Sequence, residues 1–376
     1  MTVSAQPSRQ TQRRARLAER LVASRGGVAL LVGVCALVAA MIVATHVGAL
    51  RTPWDAPLRL LGELLGLDRL FGVDEPGLTA GQRAVLLNLR IPRVLFAAVV
   101  GAALGLSGAA VQGLFRNPLA APEVIGASAG AACGAVIAIM LVSWFTIPLG
   151  PTAGLAMRPV FAFVGAVAVT AALYRFATGE HGTSVLTMLL AGIAANALMM
   201  SVVGLASFLS DDAALRDITL WMLGSLSSAT WASLGIVSLV LLVGGAWLMR
   251  SASALDLLLL GEAEAGHLGT DVPALKRRVI VASSLVLSAA IAFVGLISFV
   301  GLVVPHMVRL VVGPGHRWLL PVSAVSGAAL LTFADTLART IAAPAELPIG
   351  VLTALIGGPV FLLLLRSTRR ELGVTP

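Results

Sequence analysis

A single lysine, Lys276, occurs in the whole chain, in the run ALKRR. A Walker phosphate-binding loop ends in Gly-Lys-Ser/Thr after a glycine-rich turn. No such turn precedes Lys276, so this polypeptide does not hydrolyse ATP through that motif. Charge is scarce altogether: 12% of the residues are Asp, Glu, Lys or Arg, against roughly 25% in a soluble domain. Cysteine is almost missing too. Cys35 and Cys133 both lie in apolar stretches without CxxC spacing, which argues against a disulfide or metal role and leaves them as small buried hydrophobes. The five histidines (His46, His181, His267, His306 and His316) are scattered over separate loops and helix ends. They form no metal-ligand spacing, and an intramembrane enzyme would need clustered ligands or a nucleophile–base pair. Acids within apolar runs are few, with Asp335 alone lying well inside one. Proton- or sodium-coupled carriers depend on such carboxylates, so a self-contained secondary carrier is the weaker reading.

What is present is apolar. Hydrophobic residues make up 58% of the chain and the mean hydropathy is +0.96, so lipid replaces water as solvent for most of the surface. Runs of about 20 apolar residues can cross a ~30 Å hydrocarbon core at ~1.5 Å per residue. They occur at 28–50, 92–114, 124–144, 159–177, 185–208, 231–249, 279–296, 320–342 and 348–365, with a shorter run at 297–313 interrupted by Pro305. The net charge of +8 comes from arginines spread between these runs, not from a basic stripe interleaved with aromatics. That pattern orients a protein in a membrane and does not suit nucleic acid. Arg9, Arg13, Arg14, Arg16, Arg20 and Arg25 precede the first run, and Arg366, Arg369 and Arg370 follow the last. Both ends are therefore expected in the cytoplasm. Two ends on one side require an even number of crossings, which makes 297–313 a tenth span. The first run is longer than a signal-peptide core and no cleavage site follows, so it is expected to remain as a span.

The expected architecture is an all-α polytopic membrane protein of ten transmembrane helices. Its parts are a basic, disordered cytoplasmic tail over 1–27, one helical domain over 28–366 and a cytoplasmic tail over 367–376. Residues 51–88 form the longest outer loop, too short for a catalytic domain. Residues 211–230 read as an amphipathic helix at the outer surface, with Leu215, Ile218, Trp221 and Met222 at helical spacing, facing either the bundle or a ligand. Small residues crowd GAALGLSGAAVQG, GASAGAACGAV and GAALLTFADTLA. They let backbones approach closely, which marks these helices as the inner layer.

The motif LRIPR at 89–93, followed by GAALGLSGAAVQGLFRNPLAAP, resembles the FecCD-type permeases of bacterial ABC importers, a family that takes up ferric siderophores, haem and cobalamin. The similarity continues through LLAGIAANAL, WMLGSLSSATW, LLLGEAEAGHLGTDV and GLISFVGLVVPHMVRLVVGPGHR to FADTLART and AELPIGVLTALIGGPVFLLLL, spanning 89 to 366. It implies a type II importer bundle of ten helices in the bacterial cytoplasmic membrane. The expected assembly is a permease homodimer around one central pathway, without a cofactor. Its implied partners are a dimer of separate ATPase subunits and an extracytoplasmic binding protein.

By the same resemblance, Arg90, Arg93 and Arg339 dock acidic residues of the binding protein. Read from the residues alone, all three stand at outer span ends against the positive-inside trend. Snorkelling to headgroups would also explain Arg90 and Arg93, and a pair with Asp335, four residues earlier, would explain Arg339. In the cytoplasmic segment 251–276, Leu260, Gly261, Glu262, Glu264, Leu268 and Gly269 supply the mixed surface that the resemblance assigns to coupling with the ATPase; His267 reads as a surface residue. Thr183, Ser184, Val185 and Leu186, in TGEHGTSVL at 178–186, fall where relatives narrow the inner end of the pathway. Gln112, Asn117 and Trp221 are candidates to line that pathway, although Asn117-Pro118 is also a turn signal. His306 and Arg309 read as structural residues at the cytoplasmic edge. Among cargoes, a ferric siderophore comes first as the family's commonest, and haem and cobalamin stay open.

Overall fold

The computed structural model describes residues 9–48, 53, 55–65, 78–145, 151–180 and 182–371. Helix α1 spans Arg9–His46. After α2 (Ala56–Leu65), α3 (Ala80–Val85) passes through a π-helical turn at Leu86–Arg90 into α4 (Ile91–Leu114). A short 3-10 turn at Pro122–Ile125 precedes α5 (Ala127–Phe145), and α6 (Pro151–Ala177) follows. A small hairpin, β1 (Thr178–Gly179) antiparallel to β2 (Gly182–Thr183), leads into α7 (Val185–Leu209). Next come α8 (Asp212–Met222), α9 (Trp231–Arg250), α10 (Ala252–Leu258) and α11 (Glu262–His267). The last four are α12 (Val272–Val294), α13 (Val300–Val312), α14 (His316–Ile341) and α15 (Ile349–Glu371).

Among the described residues, eight helical segments are long and apolar enough to cross a membrane, and α13 and the first part of α15 are shorter apolar helices. Ten apolar helices thus stand where the ten runs were read. Two boundaries differ from expectation. Residues 9–27 are not a disordered tail: they continue α1 as helix, because Arg, Ala, Leu, Gln and Glu are all strong helix formers and no proline interrupts them. The helix leading into α4 starts at Ala80, inside the expected outer loop, behind a capping box of Thr79 and Gln82. The π turn sits just before Pro92, whose missing N–H and bulky ring open the hydrogen-bond ladder there. Residues 66–77 of that loop lie outside the described residues.

Burial separates the layers. In the apolar windows of α4 and α12, 78% and 72% of the residues are buried, against 11% in α1 and 17% in α7. Glycine makes the inner layer possible. A Cβ on Gly101 of α4 would stand 2.3 Å from the Gly327 carbonyl of α14, and one on Gly327 would meet the Gly101 carbonyl at the same distance. Gly130 of α5 and Gly165 of α6 are matched in the same reciprocal way. Backbones touch at both crossings, the close approach that small residues permit between membrane helices. Helix α8 is amphipathic as expected, but its buried face is Ala214 and Ile218 with Trp221 and Met222, packed on α5 and α7. Leu215 points outward. Ion pairing of Asp217 with Arg158 of α6, and a 3.1 Å hydrogen bond from Ser143 of α5 to Asp211, hold α8 in place.

Candidate functional site

The sequence-predicted residues gather at opposite ends of the bundle. Arg93 lies at the start of α4 and Arg116 just past its end, about 36 Å apart for 24 residues of helix. Around the start of α4 sit the C-terminal ends of α1 and α14. A helix C-terminus leaves its last carbonyls unsatisfied and partly negative. Arg90 donates from Nη1 to the Thr45 carbonyl at 3.0 Å, and Arg339 donates from Nη2 to the Ala44 carbonyl at 3.2 Å. Both cations therefore cap α1. Arg93 is held between two carboxylates, with Nη2 2.9 Å from Asp335 Oδ1 and Nη1 2.9 Å from Glu346 Oε1. Asp335 also pairs with Arg339, Nε to Oδ2 at 3.1 Å, four residues along α14. The two carboxylates differ sharply in setting: the Asp335 side chain is 2% exposed and that of Glu346 is 44% exposed.

At the opposite end, the candidate gate and coupling residues meet. Thr178 and Thr183 bring their hydroxyls to 3.0 Å across the hairpin. Ser184 caps α7, its Oγ accepting the Thr187 N–H at 3.2 Å. Thr183 is buried, whereas Leu186 is exposed. Helix α11 is bracketed by Gly261 and Gly269, at φ +127° and +86°, values that L side chains rarely adopt. Leu260 and Leu268 flank it and are 62% and 59% exposed, although Leu255 and Leu258 of the adjoining α10 are buried in the core. Two exposed leucines flanking a short polar helix at one end of the bundle form a ready contact surface. A cavity of about 490 Å³ is lined by the residues Gly182 to Leu186, Leu189, Arg116, Glu262 and Lys276, so gate and coupling candidates share one space.

The three pathway candidates do not converge. Gln112 is buried and donates from Nε2 to the Leu302 carbonyl at 3.0 Å, binding α4 to α13. Asn117 is exposed and accepts the Leu119 N–H on Oδ1 at 2.9 Å, the turn its Asn-Pro dipeptide announced. Trp221 lies toward the other end, packed between the main core and the α5–α7–α8 cluster. His306 and Arg309 are on α13, where Arg309 Nη2 stands 3.5 Å from Gln112 Oε1. His267 is exposed, and His181 lies outside the described residues.

Sequence reading missed four contributors. Lys276, whose sequence context speaks only to what the chain does not do, donates from Nζ to Glu262 Oε2 at 2.7 Å and to the Thr183 carbonyl at 2.8 Å. Asp256 of α10 accepts from the backbone N–H of His316 at 2.7 Å and lies 2.7 Å from its Nδ1, tying the coupling segment to α14. Glu346 completes the arginine cluster. Glu123, in the turn between α4 and α5, keeps a buried Oε1 without a partner, and burial pushes its carboxyl well above the usual carboxylate range. Only Glu123 left a trace in the sequence, as a lone acid among apolar residues in AAPEVIG.

Comparison with known proteins gives a consistent answer. Residues 36–367 match the model of the FecCD transport family. The chain is 45% identical over 287 residues to the hemin transport system permease protein of Yersinia pestis, covering 76% of this chain and 84% of that one. It is 43% identical over 299 residues to the cobalamin import system permease protein of Halobacterium salinarum, covering 79% and 76%. A solved structure assigned to the metal-chelate type of ABC transporter, in an inward-facing conformation, superposes with a TM-score of 0.75 at 30% identity over 90% of this chain and 98% of that one. The chain belongs to the FecCD transport family: it is a multi-pass permease subunit of the ABC importer type, resident in the cytoplasmic membrane, with ATP hydrolysis left to a separate subunit.

Proposed function

We propose that two copies of this chain form a permease that accepts a large metal chelate from an extracytoplasmic binding protein and releases it into the cytoplasm, driven by a separate ATPase dimer. The carrying observation is the division of the bundle into a cationic end and an end that presents exposed leucines beside a hairpin. In this reading the arginine end faces outward and both chain termini face the cytoplasm, as the flanking arginines favour. Exposed apolar side chains along α7 and α15, including Leu190, Ile193, Leu355 and Leu362, suit a second copy and lipid. At the docking end, Arg90 and Arg339 are engaged with α1, which leaves Arg93 as the group best placed to meet an incoming acid. Its bond to the half-exposed Glu346 is the one a binding-protein carboxylate would replace, because Asp335 is too deeply buried to leave.

The relatives named for hemin and cobalamin favour a metal tetrapyrrole as cargo. The structural relative's metal-chelate assignment keeps a ferric siderophore as the second reading. Reconstitution of the chain in liposomes with its ATPase and binding protein tests both. ATP hydrolysis stimulated by binding protein loaded with haem, cobalamin or one ferric siderophore identifies the cargo. Uptake that proceeds without any ATPase refutes the proposal and makes the chain a secondary carrier.

A further inference from the structure

The chain's one lysine links its own helix to the neighbouring α11 and to a hairpin 93 positions away in sequence. We propose that Lys276 is a positioning residue which transmits displacement of α11 to the gate hairpin, acting as a pin shared by Glu262 and Thr183; the inference rests on the importer reading above.

The fixed part is α12. Lys276 stands near its start, its side chain only 7% exposed, and the residues that follow, such as Val279 and Ile280, are buried in the core. A buried ammonium is tolerated only when its charge and its donors find partners. Its partners are the Glu262 carboxylate and the Thr183 carbonyl, and they belong to two short elements, α11 and the hairpin. Helix α11 has six residues and is bracketed by two left-handed glycines, at which the chain can pivot with little steric resistance. The hairpin consists of two paired rungs, Thr178 with Thr183 and Gly179 with Gly182. Thr183 is followed directly by the cap of α7, so moving its carbonyl moves the start of that helix.

Free space allows the motion, since Glu262, Lys276 and the hairpin all border the cavity of about 490 Å³. Arg116 borders it as well, so Glu262 faces two cations. If an ATPase engages Leu260 and Leu268 and draws α11 away, Lys276 loses its counter-ion while Arg116 remains across the cavity. The ammonium must then follow Glu262 or turn to solvent, and either way it releases the Thr183 carbonyl. A compact point charge with several donors suits a shared pin better than a planar guanidinium would.

The test uses the permease with its ATPase and binding protein in liposomes. Chelate uptake per ATP hydrolysed is measured for Lys276→Met, Glu262→Ala and the double variant. A second reading is the labelling rate of Ser184→Cys by a water-soluble maleimide, with Cys35 and Cys133 replaced, in nucleotide-free and vanadate-trapped complexes. Each single variant is expected to lower uptake per ATP about tenfold, and the double variant no further, because both remove one linkage. The difference in Ser184→Cys labelling between the two states should disappear in both, an effect that mere loss of stability does not produce. An assembled Lys276→Met complex that keeps wild-type uptake per ATP and the labelling difference overturns the proposal, as do losses that multiply. Should Lys276→Met not assemble, Glu262→Ala decides, since it leaves the lysine on Thr183; normal coupling there also overturns it. Wild-type liposomes without ATP-dependent uptake of any chelate sink the importer reading and the pin together, whereas normal wild-type uptake with unaffected variants sinks the pin alone.

Discussion

Replacing Asp335 with asparagine removes the charge on which the arginine cluster depends. Its carboxylate accepts Arg93 at 2.9 Å and pairs with Arg339 at 3.1 Å, with side chains 14%, 2% and 9% exposed for Arg93, Asp335 and Arg339. Breaking a buried pair by removing one partner costs about 3–5 kcal/mol, since the other charge is left uncompensated. Arg93 retains Glu346, and the amide oxygen of asparagine still accepts one hydrogen bond, which brings the expected loss down to about 2–3 kcal/mol. Thermal unfolding of the detergent-solubilised chain, followed by tryptophan fluorescence, should then show a midpoint lower by about 3–4 °C. Two companions sharpen the assay. Glu346→Gln breaks a pair that is half exposed on one side, and should cost less than about 1 kcal/mol. Adding Arg339→Leu to Asp335→Asn removes one stranded cation and should recover part of the loss, although the α1 cap at Ala44 goes with it. Equal shifts for Asp335→Asn and Glu346→Gln would refute the reasoning, because burial would then have no bearing on the strength of the two pairs.

Other consequences follow from the packing and the caps. Gly101→Val drives a branched side chain into the Gly327 carbonyl, with no rotamer that escapes it, and should destabilise the chain by at least about 3 kcal/mol. Gly204→Ala, where a Cβ meets nothing within 4 Å on α7, should instead stabilise by about 0.5–1 kcal/mol through helix propensity; unfolding midpoints check both. Leu268→Asp should weaken capture of the ATPase subunit about thirtyfold or more if this leucine is an interface anchor, measured by co-purification over a concentration series. The Asp211 carboxyl is held below its ordinary range, first by the Ala214 N–H and then by Ser143. A depressed folded value means that the cap on α8 is fully present above the ordinary carboxylate range and is lost as pH falls through the depressed value. Hydrogen-exchange protection of α8, corrected for intrinsic rates, should therefore drop at low pH in the wild type and be low at all pH values in Asp211→Ala.

Much of this molecule was legible in the residues themselves. Span positions follow from hydropathy, which needs only local composition, and the inner layer follows from glycine and alanine, which permit close helix crossings wherever they recur on one face. The family could be read from LRIPR and FRNPLAAP because long ordered motifs survive without any knowledge of packing. Boundaries were read less well. The start of α3, which leads into α4, hid in a polar stretch, because the Thr79–Gln82 capping box carries no hydrophobic signal, and the arginine-rich first part of α1 is helical by propensity although its charge suggested a free tail.

Which residues would be neighbours was decided by tertiary structure alone. Arg93 meets Asp335 across 242 positions and Lys276 meets Thr183 across 93, distances at which no sequence periodicity carries information. For the same reason the engagement of Arg90 and Arg339 with the end of α1 could not be read, whereas the Asp335–Arg339 pair, four residues apart on one helix, could. Lys276 shows the division best. Being the only lysine, it told from sequence what the chain does not do. Its place between α11 and the hairpin exists only because α12 is buried, and a buried charge must gather partners from whatever the fold brings near.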